Sequence, residues 1–203
     1  MNRKVILYIT ASLDGYIARK DGSIDWLSGD GSDPNIDNGY SAFYKTVDTI
    51  IMGSRTYEQI IHELSPNMWI YDGMQCFVAT TRNLDEDSNV KFVKGDLCAL
   101  VSTLKQQNGK NIWIIGGAEI IEELLKENLI DEYIISVIPT ILGEGIPLFK
   151  TGVPETKLKL KNLRPLDGVV ELRKDHTENS RGHIRFYKGI SVRHSVYFIL
   201  YFR

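Results

Sequence analysis

Three short stretches place glycine, hydroxyl and arginine side chains where an apolar, strand-like run gives way to a helical pattern. The strongest is Trp113-Ile114-Ile115-Gly116-Gly117-Ala118-Glu119. Gly116 and Gly117 can take backbone angles closed to other residues and let a pyrophosphate approach the main chain. A helix start behind them offers free N–H groups and a positive dipole end, which suits phosphate. The second is Ile51-Met52-Gly53-Ser54-Arg55-Thr56, where Arg55 can pair a phosphate bidentately and Ser54 or Thr56 can donate a hydroxyl. The third is Ala79-Thr80-Thr81-Arg82-Asn83, a set of hydroxyls and one cation suited to the 2′-phosphate of an adenosine ribose.

Each stretch also has a plainer use. A lone Gly-Gly serves as a tight strand-to-helix turn, Ser54 or Thr56 serves as a helix cap, and residues 79–83 serve as a polar turn. The spacing is not GxGxxG, so the ordinary Rossmann fingerprint is absent. Three such sets at successive strand ends weigh more than any one of them.

The elements that must carry these residues are legible from the apolar pattern. Strands are expected at Val5–Thr10, Thr49–Met52, Cys76–Thr80, Val90–Val93, Asn111–Ile115 and Tyr133–Pro139. Helical patterns cover Tyr40–Val47, Tyr57–Leu64, Leu97–Gln107 and Ala118–Glu127. Ile17-Ala18 suggests a short return strand, and Ile141–Phe149 a glycine-rich crossing segment. Leu158–Leu163 and Val169–Leu172 form a terminal antiparallel pair. Strands alternating with helices imply βαβ crossovers and a largely parallel sheet. Residues 28–39 are the most loop-like stretch, and long loops in compact domains are often functional.

Composition removes several classes of function. Twenty-four Lys and Arg against 26 Asp and Glu leave a formal charge of −2, without the basic excess expected of a nucleic-acid or membrane-surface binder. Two cysteines and four histidines lie in no disulfide, zinc-ribbon or HExxH pattern, so no metal is expected. No apolar run approaches a membrane span. The first residues carry Arg3-Lys4 before an apolar run, but Asp14-Gly15 stands where a cleavage site would be needed, and an N-terminal strand explains the run better. A cytoplasmic, single-domain α/β protein is the expectation. Residues 173–203 stand apart, with seven Lys and Arg, two acids and the aromatic run Val196–Phe202. Such a run must pair as a strand, contact a second subunit or stay poorly ordered.

The order and spacing of residues 9–18 (ITASLDGYIA), 50–58 (IIMGSRTYE), 77–83 (FVATTRN), 112–125 (IWIIGGAEIIEELL) and 131–149 (DEYIISVIPTILGEGIPLF) resemble the dihydrofolate reductase superfamily. They are most similar to the reductase domain of riboflavin-biosynthesis deaminase-reductases and its stand-alone relatives. The resemblance covers residues 4–172, dividing the chain into a reductase-like domain, 1–172, and an extension, 173–203. It implies a three-layer αβα fold with a mostly parallel mixed sheet and an antiparallel C-terminal edge. It further implies NADPH as cofactor, a small-molecule substrate and a homodimer. By position, Gly53, Ser54, Arg55 and Thr56 would meet the cofactor phosphates, and Thr80, Thr81 and Arg82 the 2′-phosphate. Gly116, Gly117, Ala118 and Glu119 would lie near the pyrophosphate and nicotinamide, with Ala11 and Ile17 flanking the nicotinamide.

Hydride transfer asks little of side chains beyond orientation and exclusion of water. Substrate positions are therefore harder to read than cofactor positions. Dihydrofolate reductases place one acid on the helix after the first loop, and Asp37 falls near that place, with Asp25 as a rival. Either could equally be a solvated loop carboxylate. A phosphorylated ribosylaminopyrimidine would need a second anion site, for which Lys150 and the arginines qualify by charge alone. The zinc signature of the partner deaminase is absent from the sequence. The expected activity is NADPH-dependent reduction of a small heterocycle, of the 5-amino-6-(5-phosphoribosylamino)uracil reductase type. Dihydrofolate reduction and nucleotide binding without turnover are the alternatives, and a structural dimer built on the aromatic tail is a third.

Overall fold

The computed structural model describes residues 3–27, 39–166 and 169–176. Its strands are β1 (Val5–Ser12), β2 (Tyr16–Ala18), β3 (Val47–Gly53), β4 (Gln75–Ala79), β5 (Val90–Val93), β6 (Asn111–Gly116), β7 (Glu132–Ile138), β8 (Ile146–Pro147), β9 (Leu158–Leu166) and β10 (Val169–His176). Its helices are α1 (Tyr40–Tyr44), α2 (Ser54–Gln59), α3 (Leu97–Gln106) and α4 (Ala118–Lys126), and a π-helical turn, Ile60–Leu64, continues α2.

Eight strands form one sheet in the order β5-β4-β3-β6-β1-β7-β10-β9. The first six run parallel, and β10 pairs antiparallel with both β7 and β9. The architecture is the mostly parallel α/β sheet with an antiparallel C-terminal edge that the sequence leads one to expect. Both faces of the sheet are covered because the strands are apolar on both sides, as buried parallel strands require. On one face Leu7, Ile51, Phe77, Ile112 and Ile114 pack under α3 and α4. Their neighbours in sequence, Ile50, Met52, Cys76, Val78 and Trp113, face the opposite way onto α2, its π turn and Tyr71. This two-residue alternation makes the three layers.

Several elements differ from the expected bounds, two of them where strands of the sheet begin or end. The helix read over Tyr40–Val47 stops at Tyr44, because Val47, buried at 2%, opens β3 and lies opposite Asn111 in β6. The terminal antiparallel pair is longer than its apolar runs, and β10 continues past Leu172 to His176. The small sheet β2–β8 ties the β1–β2 turn to the glycine-rich crossing segment. Asp14 reinforces that tie by accepting from the amides of Leu142 (3.1 Å) and Gly143 (2.7 Å). Ser12 Oγ donates to the same carboxylate at 2.6 Å and, as first cause, holds it below the usual carboxylate range. Asp37 and the aromatic extension beyond His176 lie outside the described residues.

Candidate active site

The carboxyl ends of β1, β3, β4 and β6 open onto one cleft of about 1080 Å³. Parallel α/β sheets bind ligands at this edge because helix starts converge there. Gly53 ends β3 and caps α2, while Gly117 follows β6 and caps α4. Neither helix start has a side-chain cap. By contrast, Asp96 caps α3 by accepting from Ala99 N at 2.8 Å. The first-turn amides of α2 and α4 therefore keep their capacity to bind an anion.

These two chain segments lie close to each other. A Cβ on Gly53 would sit 3.7 Å from Gly117 N, and one on Gly117 would sit 3.8 Å from Thr56 Oγ1. Gly116 has φ +132°, and a Cβ there would approach Ile9 Cδ1 to 3.3 Å, so this position requires glycine. The peptide bond between Gly116 and Gly117 is cis.

The charged groups sit around these starts. Arg82 Nη2 donates to Ser54 Oγ at 3.1 Å and to Glu58 Oε2 at 2.6 Å, so the guanidinium from the β4 end lies over the start of α2. Thr80 is buried, and its hydroxyl accepts from Arg82 N at 3.0 Å, shaping the turn that presents the arginine. Arg55 Nη1 stands 3.6 Å from Glu119 Oε1, bridging the starts of α2 and α4, with the arginine side chain 81% exposed.

Ile17, Gly53, Ser54, Arg55, Thr56, Thr80, Thr81, Arg82, Gly116, Gly117, Ala118 and Glu119 all line this cleft. Ala11 does not. It is buried in the core, paired with Val137, and β1 reaches the cleft through Tyr8, Ile9 and Thr10. Asp25 is engaged elsewhere, in an exposed pair with Arg19 at 2.7 and 3.1 Å. That hydrogen bond holds its carboxyl below the usual range, which is unsuitable for a proton donor. Lys150 is also committed, lying 3.1 Å from Glu122 and 3.7 Å from Glu119.

Sequence reasoning missed one wall. Glu58, Gln59, His62 and Glu63 follow Arg55 along α2 and its π turn and also line the cleft. Their spacing of three, four, seven and eight residues from Arg55 was the available signal. Tyr8 and Tyr71, from a strand and a loop, had none. The Tyr8 hydroxyl donates to Glu171 at 3.1 Å, while Arg164 Nε donates to the other Glu171 oxygen at 3.0 Å. Burial, and then the charge of Glu171, push Tyr8 up to about 12, so it stays protonated. The fold also gathers Asp96, Cys98 and Glu123 within 4.8 Å, a grouping no sequence spacing suggests. Burial and the surrounding acids raise the Cys98 thiol to about 11, and Asp96 is engaged as the α3 cap.

Strand order, antiparallel edge and a glycine-framed cleft at the strand ends define a dihydrofolate-reductase-like α/β domain. The family model of the RibD C-terminal domain matches residues 3–172, and the chain belongs to that family. It is 48% identical over 173 residues to the uncharacterized protein YwjB of Bacillus subtilis (strain 168), covering 85% of this chain and 97% of that one. A crystal structure from Shewanella sp. PV-4, whose name refers to riboflavin biosynthesis, superposes with a TM-score of 0.74 at 31% identity, covering 88% of this chain and all of that one. A deaminase and 5-amino-6-(5-phosphoribosylamino)uracil reductase from Thermotoga maritima has the same fold (TM-score 0.63, 15% identity), with 87% of this chain covering 57% of that one. The family and fold are thus of the riboflavin-reductase-like type. No helix among the described residues is long and apolar enough to cross a membrane.

Proposed function

We propose that the cleft binds NADPH and that the protein reduces a small, flat nitrogen heterocycle of the riboflavin-precursor type. The observation that carries this reading is the pair of uncapped, glycine-framed helix starts facing each other, with Arg55 and Arg82 beside them. Two backbone donor sets and two guanidiniums suit the pyrophosphate and 2′-phosphate of a dinucleotide.

In this reading the α2 and α4 amides with Arg55 hold the pyrophosphate, and Arg82 with Thr81 holds the 2′-phosphate. Ile9, Ile17 and Ile115 give the reacting end an apolar wall that excludes water. When bound, NADPH supplies a hydride to an electrophilic carbon of the substrate, and the adjacent nitrogen takes up a proton from water. We further take the protein to be a cytoplasmic homodimer. The position of β9 at the end of the sheet, with Leu160 and Leu163 exposed, supports self-association.

The test follows NADPH absorbance with the ribosylaminopyrimidine and, separately, dihydrofolate. Pyrimidine-dependent oxidation that Gly117→Val abolishes supports the proposal. Nucleotide binding without oxidation of either pair reduces the protein to a nucleotide-binding module.

A further inference from the structure

Tyr8, Tyr57 and Tyr71 pack on the α2 side of the sheet. The first two spend their hydroxyls on carboxylates, Tyr57 donating to Asp87 at 2.7 Å and Tyr8 to Glu171 at 3.1 Å. Tyr71 differs. It lines the cleft and is only 6% exposed, yet its hydroxyl meets no hydrogen-bond partner among the described residues. Hydroxyls this deeply buried are nearly always bonded, so one left unbonded beside a cleft points to a ligand group as its partner. Burial, and then the neighbouring Tyr40, raise the Tyr71 hydroxyl well above the usual phenol range. It is therefore protonated at neutral pH and able to donate.

The ring that carries this hydroxyl has little freedom. It stands edge-on to Trp69, with centroids 5.5 Å apart at 81°, and to Trp113, at 5.7 Å and 88°. Trp113 is fixed in turn by donating Nε1 to Tyr8 O at 3.0 Å and by the edge of Phe43 at 5.3 Å. Met74 N donates to Tyr71 O at 3.2 Å and closes the turn that follows. A hydroxyl on so fixed a ring is oriented before a ligand arrives, which lowers the entropy cost of binding. Its place also separates it from the cofactor. Ile9 and Ile17, given above to the wall of the reacting end, belong to the α3–α4 side of the sheet, whereas Tyr71 belongs to the α2 side. A nicotinamide laid against Ile9 and Ile17 leaves Tyr71 to the other reactant.

Resting on the reductase reading above, we infer that Tyr71 is a specificity-determining residue of this cleft, its hydroxyl donating a hydrogen bond to a ring carbonyl of the heterocycle that takes the hydride. The substrate class is then a cyclic amide. A site that holds a buried hydroxyl for one ligand group discriminates against rings that lack the group, because the hydroxyl is then left unpaired. Tyr8, on the same side of the sheet, has no such role, since Glu171 already accepts its proton.

Tyr71→Phe tests this, because it removes the hydroxyl and keeps the ring packing on Trp69 and Trp113. The full chain, wild type and variant, is first titrated calorimetrically with NADP+ and then, once saturated, with 5-amino-6-(5-phosphoribosylamino)uracil, a pyrimidine with ring carbonyls. In the variant the pyrimidine is expected to bind about tenfold more weakly, the scale of one hydrogen bond whose loss leaves a buried group unpaired. NADP+ affinity is expected to be unchanged, and the melting temperature no lower than that of the wild type, since the hydroxyl makes no bond within the protein. An unchanged pyrimidine constant, a parallel weakening of NADP+, a melting temperature lowered by more than about 3 °C, or no binding of the pyrimidine to the NADP+-loaded wild type overturns the inference. Absence of NADP+ binding, measured first and alone, overturns the reductase reading beneath it.

Discussion

Arg82→Ala separates the 2′-phosphate role from every other role the cleft could have. Arg82 Nη2 lies 3.1 Å from Ser54 Oγ and 2.6 Å from Glu58 Oε2, with its side chain 49% exposed. A charge-assisted hydrogen bond to phosphate contributes about 1.5–3 kcal/mol, which is roughly a 10- to 150-fold change in Kd. Glu58 already meets part of the guanidinium charge and faces the incoming phosphate, which places the effect at the low end, about tenfold. The folded protein should hardly notice, because an exposed pair of this kind is worth at most about 1 kcal/mol. Calorimetric titration with NADPH and NADH on wild type and variant gives four constants. NADPH should weaken about tenfold, NADH should stay where it was, and Glu58→Gln should tighten NADPH. Equal weakening of both nucleotides, or an unchanged NADPH constant, would refute the assignment of Arg82.

Other perturbations probe the frame of the site. Arg55→Ala should weaken both nucleotides by roughly 1.5–3 kcal/mol, since the pyrophosphate is common to them. Gly117→Val should leave the melting temperature near wild type, because its Cβ meets only Thr56 Oγ1 at 3.8 Å, yet remove nucleotide binding by filling the approach to Gly53. Trp113→Ala, which empties the packing of Tyr8, Phe43 and Tyr71 against a side chain 6% exposed, should cost about 3–5 kcal/mol in urea denaturation. Asp14 carries a pH signature. Its folded pKa is depressed, so its stabilisation is present above the unfolded value of about 4 and is lost as pH falls through the folded pKa. The melting-temperature gap between wild type and Asp14→Asn should therefore be open at neutral pH and close in acid; a gap constant with pH would contradict the clamp on residues 142–143.

Much of this architecture is legible in the chain because buried parallel strands announce themselves as apolar runs. Ile112–Ile115 followed by Gly116-Gly117 could be read as strand, turn and helix start without any tertiary information. Val47 was harder, since one valine after Tyr44 continues a helical apolar spacing and also opens a strand. Only its pairing opposite Asn111 decides between them. Ala11 illustrates a second limit. Alternation on β1 puts it on the face of Leu7 and Ile9, yet Ile9 lines the cleft and Ala11 lies in the core, and only tertiary packing separates the two. The cleft wall formed by α2 and its π turn depends on contacts of the same kind. Gly22 and Glu63 are far apart in sequence, and Gln59 joins them through a turn carbonyl that no pattern foretells.

The most direct measurement is a calorimetric titration of NADPH into the wild-type chain, with NADH as comparator. Saturable binding at one site per chain, tighter for NADPH, is the expected result. No saturable heat from either nucleotide at millimolar concentration would contradict the assignment of this cleft to a dinucleotide.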